Sequence, residues 1–514
     1  MDRIVIRRDA YFDSVFLMSI SAELKRVPGV QAGQAVLCTP ANLDLLQAQG
    51  FDLSKQGDLG PTDLAVTLRA SIEGPLDLAE KRFAELLSGK TVGGVAKGGG
   101  ARAVGLTGGL HAQENSNLVV LSVPGEYAAY EALRALRAGL HVMLFSDNVS
   151  VEDEIALKTE AVARGLLLMG PDCGTAIING VMLGFANKVR RGRIGVVGAS
   201  GTGMQEVTCL IDREREGISQ AIGTGGRDLS EKVGGLTTLF AIDALASDPD
   251  TSVIVVISKP PAAPIADRVL ARLAQISKPS VVHFVGAGRS KRRKNVWMTS
   301  DLALTAFAAC DLARGQRPDL STVPVSVDHF AWEKQGKVAS QKYLRGLFTG
   351  GTLGAEALAY LAPRLRDVRS NLLHDGTKTP LPGEQGHVVI DLGDDEFTRG
   401  RPHPMIDPTP RVEWLDAQAL DPTVAVVLMD VVLGTGSHAD PAGAIIPAID
   451  RAKDRALEKG RTVSFIVSVT GTSGDTQNRE LQIAKLKKAG VVVFPSNIEA
   501  VRFACFLVEA IHAR

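Results

Sequence analysis

The stretch Ile194-Gly-Val-Val-Gly-Ala-Ser-Gly-Thr-Gly-Met-Gln-Glu206 contains the pattern that determines the fold class. An apolar run ends in a loop of small residues, and a helical pattern follows at once, which predicts the strand–helix unit of α/β domains. Gly201 and Gly203 allow a ligand to approach the backbone. The first amides of the helix, with the hydroxyls of Ser200 and Thr202, can hold a phosphate. The alternative is a tight connection in which Ser200 only caps the helix.

Apolar runs and helical patterns alternate on both sides of this stretch. The runs are nearly continuous, which is typical of parallel strands buried on both faces. The chain is therefore predicted to be a multidomain α/β protein with doubly wound sheets. The predicted strands are Leu118–Val123, His141–Phe145, Leu166–Met169, Val253–Ile257, Val281–Val285, Val388–Leu392, Val424–Met429, Val463–Val469 and Val491–Phe494.

One pattern occurs twice. Ala246-Ser-Asp-Pro-Asp-Thr-Ser-Val-Ile-Val-Val-Ile257 resembles Ala419-Leu-Asp-Pro-Thr-Val-Ala-Val-Val-Leu428, and another strand follows each. The repeat favours two related flavodoxin-like domains in one chain. The alternative is that all α/β units share such patterns.

The length of 514 residues has room for three or four domains. Weak periodicity and clusters of Pro and Gly from about residue 315 to 385 indicate a linker with some helix near Ala355–Leu361. The predicted segments are a small α/β domain at residues 1–90, a Rossmann-like domain at 91–190, a flavodoxin-like domain at 191–330, a linker at 331–385 and a second flavodoxin-like domain at 386–514.

Composition argues against several classes of function. Lys+Arg and Asp+Glu both number 57, so the chain has no net attraction for nucleic acid or an anionic membrane. No apolar run is long enough to cross a bilayer, and the N-terminal residues lack a signal-peptide core. We expect a cytoplasmic protein without a metal site, because the cysteines are far apart in sequence. These are Cys38, Cys173, Cys209, Cys310 and Cys505.

The loop Gly170-Pro-Asp-Cys-Gly-Thr175 ends a predicted strand, at the sheet edge where α/β proteins bind ligands. Cys173 as a nucleophile is the weaker hypothesis, because no histidine lies nearby in sequence to lower its pKa. The candidate substrate-binding residues are Asp172, Cys173, Gly174 and Thr175.

The loop Gly223-Thr-Gly-Gly-Arg-Asp228 is a second Gly-rich turn after an apolar run. Gly225 and Gly226 suit a phosphate, and Arg227 suits a substrate anion. A purely structural turn is the alternative.

The loop Val432-Leu-Gly-Thr-Gly-Ser-His-Ala-Asp-Pro441 closes the matching strand of the last domain. Gly434, Gly436 and Ser437 suit a phosphate at a helix start. His438 is a candidate catalytic residue, as phosphate carrier or proton donor, or else a capping or surface histidine.

The run Phe397-Thr-Arg-Gly-Arg-Pro-His-Pro-Met-Ile-Asp-Pro408 concentrates positive donors between prolines. Arg399, Arg401 and His403 are candidates for binding a substrate carboxylate or phosphate. A proline-stiffened connection between domains is the alternative.

Together these motifs resemble the FdrA family of the succinyl-CoA synthetase superfamily over nearly the whole chain. The resemblance implies a Rossmann-like CoA-binding-type domain followed by two flavodoxin-like domains of the succinyl-CoA-synthetase type. The residues that carry it are Thr39-Pro-Ala-Asn42, Gly170–Thr175, Ser200–Thr202, Gly225–Asp228, Arg345-Gly-Leu-Phe-Thr-Gly-Gly-Thr352 and Gly400-Arg-Pro-His-Pro-Met-Ile-Asp407.

Two departures from the synthetase pattern bear on chemistry. The synthetase α subunit carries a phosphorylated histidine in a loop for which this chain has Val285–Trp297, without histidine. Glu206 matches the glutamate that steadies that phosphohistidine, and its partner is absent. The segment before the Rossmann-like unit is too short for the ATP-grasp domain of the β subunit.

The resemblance implies an enzyme of ureide (allantoin) catabolism. FdrA proteins are associated with an oxamate carbamoyltransferase, which splits oxalurate with phosphate into carbamoyl phosphate and oxamate. Phosphate is then a substrate, CoA a candidate ligand, and no cofactor is tightly bound. Companion subunits in a hetero-oligomer are expected. The alternatives are an acyl-CoA synthetase with a nucleotide-binding partner and a non-catalytic scaffold subunit.

Overall fold

A computed structural model of the chain describes residues 1–10, 12, 14–88, 105–288, 290–373, 380, 383–399 and 401–512. It divides into two compact units, Met1–Ser116 with Asp395–Asp407, and Asn117–Asp394 with Pro408–Arg514. The boundary predicted between residues 90 and 91 lies outside the described residues.

The first unit is built on a three-stranded antiparallel sheet of order β1-β3-β2. One face of the sheet packs against α1 and α3 through residues such as Leu24, Leu68 and Phe83. Leu46 and Phe51 cover the other face. The elements are β1 (Asp2–Arg7), α1 (Ser14–Lys25), β2 (Val30–Leu37), α2 (Pro40–Ala48), β3 (Leu64–Ala70), α3 (Glu73–Ser88) and α4 (Gly105–Ala112).

The second unit begins with a three-stranded parallel sheet of order β4-β5-β6. Its helix α6 starts at Ser150, whose side chain accepts a hydrogen bond from the Asp153 amide, as an N-cap does. The elements are β4 (Leu118–Leu121), α5 (Gly125–Arg137), β5 (His141–Leu144), α6 (Val151–Ala163) and β6 (Leu168–Met169).

An eight-stranded sheet follows, in the order β13-β14-β12-β11-β9-β10-β7-β8. Its centre is parallel, and the hairpin β7–β8 extends one edge antiparallel to β10. The elements are β7 (Thr175–Ile178), β8 (Val181–Gly184), β9 (Arg191–Ala199), α7 (Gly201–Arg213), β10 (Ile218–Gly223), α8 (Leu236–Ser247), β11 (Val253–Ser258), α9 (Ala263–Leu273), β12 (Ser280–Phe284), β13 (Lys291–Arg293), β14 (Val296–Met298) and α10 (Leu302–Ala313).

A six-stranded parallel sheet of order β16-β17-β15-β18-β19-β20 completes this unit. The elements are α11 (Phe330–Lys334), β15 (Tyr343–Phe348), α12 (Gly351–Leu361), β16 (Val368–Ser370), β17 (His387–Asp391), α13 (Asp395–Thr398), α14 (Thr409–Leu420), β18 (Val424–Val432), α15 (Pro441–Glu458), β19 (Ser464–Thr470), α16 (Arg479–Lys488), β20 (Val492–Phe494) and α17 (Asn497–His512). Of these, α13 belongs to the first compact unit.

The multidomain α/β class is confirmed, with parallel sheets where near-continuous apolar runs predicted them. The structure differs at residues 331–385, interpreted above as a linker, because β15 and α12 lie there and β15 is a central strand. Arg345 interrupts the apolar run of β15, and for this reason the sequence pattern did not indicate a buried strand there. This arginine is buried, with Nε donating to Gln418 Oε1 at 2.9 Å and Nη2 to Asp421 Oδ2 at 2.9 Å.

The predicted boundary at residue 190 also differs from the sheet order. The hairpin β7–β8 precedes that boundary and pairs with β10, so it belongs to the eight-stranded sheet. Among the helices that the structure describes, none is both long and apolar enough to cross a membrane.

Candidate active site

The start of α7 faces the start of α12. Ser200 has an extended backbone and does not cap its own helix; its Oγ instead lies 2.7 Å from Oγ1 of Thr352. A Cβ atom on Gly203 would lie 2.9 Å from Cγ2 of Thr352, and one on Gly350 would lie 2.9 Å from Cβ of Thr202. The two connections, one from each large sheet, therefore pack directly against each other.

This arrangement brings two helix N-termini to one place. In the described part of the chain, no protein acceptor is found for the amides of residues 201–203 or 351–353. Each terminus carries a partial positive charge, and an anion between them would be attracted by both. Ser200 occupies the N-cap position of α7 without a capping hydrogen bond from its side chain, and phosphate binding at Ser200, Gly201, Thr202 and Gly203 stays a prediction.

Charged side chains surround the start of α12, at the ends of strands from both sheets. Asp430 in β18 accepts hydrogen bonds from the amides of Thr349 (2.9 Å) and Gly350 (2.7 Å) and pairs with Arg411. Asp391, the last residue of β17, is buried, and Lys259 follows β11. A Cβ atom on Gly351 would overlap Asp391 Oδ2 and lie 3.3 Å from Lys259 Nζ.

Burial raises the pKa of Asp391 to about 6, and the nearby Lys259 ammonium opposes that rise. This carboxyl therefore titrates closer to neutrality than an ordinary aspartic acid, which is the range a proton-transfer group needs. Lys259, Asp391 and Asp430 are not among the site residues predicted from the sequence. The available signal was their position, since each lies at or near the carboxyl end of a parallel strand.

Glu206 is buried between the two large sheets. Its carboxylate accepts a hydrogen bond from the Thr470 hydroxyl and another, at 3.0 Å, from the Asn497 amide. These contacts join α7 to β19 and α17. They explain why the Glu206 carboxylate is buried, because it links a helix of one large sheet to a strand and a helix of the other. A catalytic role for Glu206 stays a prediction.

The 170–175 loop lies beside the start of α7. A Cβ atom on Gly201 would lie 3.4 Å from Oγ1 of Thr175, which donates to the Phe185 carbonyl at 2.7 Å. Phe185 in turn donates its amide to the Gly174 carbonyl at 2.7 Å. Burial raises the pKa of the Cys173 thiol to about 12, so Cys173 is not a thiolate nucleophile in this structure.

The 223–228 loop packs against the 170–175 loop. A Cβ atom on Gly225 would overlap the carbonyl of Pro171, and one on Gly226 would lie 3.8 Å from Asp172 Oδ2. Gly225 also has φ +84°, which favours glycine. Packing and backbone conformation therefore require glycine at position 225, and phosphate binding by Gly225 and Gly226 stays a prediction.

Arg227 connects this loop to α6. Its Nη2 donates to the Val149 carbonyl at 2.8 Å, and its Nε lies 3.0 Å from Glu154 Oε2. Both contacts engage the Arg227 guanidinium. They link the loop after β10 of the eight-stranded sheet to α6 and to Val149 just before it, beside the three-stranded parallel sheet. Substrate binding by Arg227 is a prediction that these contacts do not favour.

The 434–438 loop packs on the segment that precedes β9. A Cβ atom on Gly434 would lie 3.0 Å from Asn187 Nδ2, and one on Gly436 would lie 3.0 Å from the Phe185 ring. Ser437 Oγ is buried without a hydrogen-bond partner in the described structure. Nδ1 of His438 accepts a hydrogen bond from the Asp440 amide at 3.0 Å, which is a local turn contact.

Replacing His438 by Gln is expected to lower turnover only severalfold, because Nδ1 of His438 accepts a hydrogen bond from the nearby Asp440 amide and Gln can accept the same hydrogen bond. Steady-state kinetics of His438→Gln against the parent would show this. A phosphohistidine at position 438 after incubation with a phosphoryl donor, lost in the variant together with activity, would contradict it.

The three donors of the 397–408 run lie in the other compact unit. Arg399 and Arg401 are exposed, and Nδ1 of His403 accepts a hydrogen bond from the Met405 amide at 3.2 Å. In the same unit Lys25 Nζ lies 3.1 Å from Asp407 Oδ2. Binding of a carboxylate by these three residues stays a prediction.

Three family models match the chain. Residues 1–104 match the model "AllF, heavy metal-associated domain", residues 189–286 match a CoA-binding domain, and residues 347–507 match a CoA-ligase domain. The CoA-binding match falls almost entirely outside residues 91–190, the segment to which the sequence analysis gave the CoA-binding type. The CoA-ligase match begins inside the segment that was interpreted as a linker.

Relatives extend the comparison. The uncharacterized protein YahF of Escherichia coli K12 is 42% identical over 498 residues, 96% of each chain. The α subunit of the ADP-forming succinate–CoA ligase of Aquifex aeolicus is 30% identical over 155 residues, 29% of this chain and 49% of the relative. ATP citrate lyase from Methanothrix soehngenii, solved with citrate and coenzyme A, has a TM-score of 0.36 and 16% identity over 46% of both chains.

The described residues of the first unit do not fit a heavy-metal site. Its one cysteine, Cys38, is buried, and burial raises the pKa of that thiol to about 11. Within the described ranges, no three His, Cys, Asp or Glu side chains are grouped so as to hold a metal ion. The match to residues 1–104 is thus a likeness of domain type.

Proposed function

The chain belongs to the family of the Escherichia coli protein YahF, and on that premise we propose that it is an enzyme subunit of the acid–CoA ligase type that transfers an acyl group between phosphate and CoA. The observation that carries this proposal is the convergence of the α7 and α12 N-termini at Ser200 and Thr352. Matches to CoA-binding and CoA-ligase domains on the two sheets that supply these helices support CoA as the acyl carrier.

The proposed step is exchange at a carbonyl carbon. A phosphate oxygen bonds to the acyl carbon, the carbon–sulfur bond of the thioester breaks, and CoA leaves as a thiol after taking up a proton. The helix amides hold the phosphate and stabilise negative charge that develops on its oxygens. The reverse direction makes the thioester from an acyl phosphate and CoA.

A specific sequence feature supports a second candidate, the oxamate carbamoyltransferase. Residues 285–297 contain no histidine that could carry a phosphoryl group to a nucleotide. In this reaction phosphate attacks the carbamoyl carbon of oxalurate, the carbon–nitrogen bond breaks, and oxamate leaves after protonation. Phosphate is then used directly and no carrier histidine is required.

Both candidates need companion subunits under this proposal. An acid–CoA ligase would take its nucleotide-binding domain from a partner, and a carbamoyltransferase would share its substrate site with one. Co-purification with neighbouring gene products, followed by assays with each substrate, separates the two. Phosphate-dependent release of thiol from acyl-CoA supports the ligase type, and carbamoyl phosphate from oxalurate supports the transferase. The absence of both would support a scaffold subunit.

The isolated chain is expected to form no CoA thioester from ATP or GTP, CoA and a carboxylic acid. Coupling to a nucleotide requires Mg²⁺ and a clamp of basic loops, and the Gly-rich loops of this chain lack the P-loop lysine. A thiol-consumption assay over a panel of small acids measures this, with a complete succinate–CoA ligase as the positive control. Steady thioester formation by the chain alone would overturn the expectation.

A further inference from the structure

Asp391 is held rigidly at the end of β17. Its main-chain amide donates to Asn371 Oδ1 at 3.0 Å, and its carbonyl accepts from Asn371 Nδ2 at 2.9 Å. Oδ1 accepts a hydrogen bond from the Gly393 amide at 2.9 Å. Oδ2 has no hydrogen-bond partner among the described residues and is directed at the first residue of α12, Gly351.

Lys259 supplies a positive charge at the same point. Its Nζ would lie 3.3 Å from a Cβ atom on Gly351. The ammonium makes no hydrogen bond to any residue that the structure describes, and its electrostatic partner is Asp391. A lysine with three free donors beside a helix N-terminus is arranged to contact an anion.

The other charges around Asp391 are accounted for. Asp430 in β18 raises the pKa of Asp391, but its own carboxylate is paired with Arg411 of α14. Asp394, in the loop after β17, raises that pKa further, and Lys259 lowers it. Asp391 and Lys259 are therefore the two groups left to face a ligand at the start of α12.

We propose that this pair makes the site selective for a tetrahedral oxyanion that still carries a proton, namely hydrogen phosphate rather than sulfate. This inference rests on the proposed function, in which phosphate is a substrate. Lys259 and the helix amides attract either anion. The ionised Asp391 can only accept a hydrogen bond, which the P–OH group of hydrogen phosphate donates and fully ionised sulfate cannot. Two facing acceptors repel, so sulfate is rejected.

The pH dependence has a definite sign. Above about 6, the pKa of Asp391, this carboxyl is ionised and discriminates against sulfate. Below that pH it is protonated and can donate to sulfate, so sulfate binding strengthens as the pH falls. Sulfate keeps the same charge throughout, which makes it the cleaner probe.

The test is isothermal titration calorimetry, which measures the affinity of the full-length chain for inorganic phosphate and for sulfate near pH 7.5 and near pH 5.5. We expect phosphate to bind about tenfold or more tightly than sulfate at the higher pH. Asp391→Asn should strengthen sulfate binding and largely abolish the preference and its pH dependence. Lys259→Met should weaken both anions. Lys232→Met, at an exposed position, is the matched control and should bind both anions as the parent does.

Equal affinities for the two anions in the parent chain, or an unchanged preference in Asp391→Asn, would overturn the selectivity inference while leaving phosphate binding intact. Failure of the parent to bind either anion would overturn the proposed function and this inference together. Loss of phosphate binding in Lys232→Met as well as in Lys259→Met would also contradict the assignment, because the effect would then not belong to the site.

Discussion

Gly201→Val is expected to lower phosphate-dependent turnover by about 10²-fold or more, the usual effect of losing backbone donors to a developing oxyanion. A Cβ atom at this position would lie 3.4 Å from Thr175 Oγ1, so the first carbon is tolerated. The two additional methyl groups of valine must then crowd the free amides at the start of α7. The chain should stay folded, because Thr175 Oγ1 is the one described atom within 4 Å of the position of that Cβ atom.

Gly74→Val is the matched control. Gly74 also lies in the first turn of a helix, α3, and none of the described residues approaches within 4 Å of the position that its Cβ would occupy. This control should keep both turnover and phosphate affinity. Unchanged phosphate affinity in a folded Gly201→Val chain would reject the helix-start site.

Lys158→Met is expected to destabilise the second unit by about 3–5 kcal/mol, because it leaves the buried Asp228 without its cation and Glu154 with only the Arg227 pair. Lys158 is fully buried in α6, and its three donors bind Glu154 Oε1 (2.7 Å), Asp228 Oδ1 (2.7 Å) and the Thr224 carbonyl (2.9 Å). The network joins α6 to the loop after β10. Its loss should lower the urea midpoint of unfolding followed by circular dichroism.

Two variants check the cause. Lys487→Met, at an exposed position of α16, should leave the midpoint unchanged. Adding Glu154→Gln and Asp228→Asn to Lys158→Met should recover part of the lost stability, since neutral side chains tolerate burial better than unpaired charges. A Lys158→Met chain as stable as the parent would show that the buried ion pairs contribute nothing net.

The strand–loop–helix of β9 and α7 was predictable because each local signal agrees: an apolar run, small residues and then a helical pattern. The strand β15 was not, because Arg345 interrupts its apolar run. Only the folded chain shows what satisfies that arginine, namely Gln418, Asp421 and the carbonyls of Gly386 and Glu384. A buried charge whose partners are distant in sequence gives no local signal.

Only part of the candidate site could be predicted, because some of its residues meet partners that are distant in sequence. Ser200 and Thr202 lie in a loop whose composition indicates an anion site. Lys259 comes directly after β11 and Asp391 ends β17, and neither strand carries a sequence pattern that indicates a site. The two residues lie close together only because the two large sheets pack against each other. Gly225 indicated a ligand by composition, and only the folded chain shows that the close approach of Pro171 also requires a glycine there.

The most direct test of a phosphate site between the two helix starts is a crystal structure of the full chain grown with inorganic phosphate. We expect a phosphate within about 3 Å of the amides of residues 201–203 and 351–352. We also expect contacts from Lys259 Nζ and from Asp391 Oδ2 to the same ion. A phosphate bound elsewhere, with protein groups filling the space between Ser200 and Gly351, would contradict the central claim.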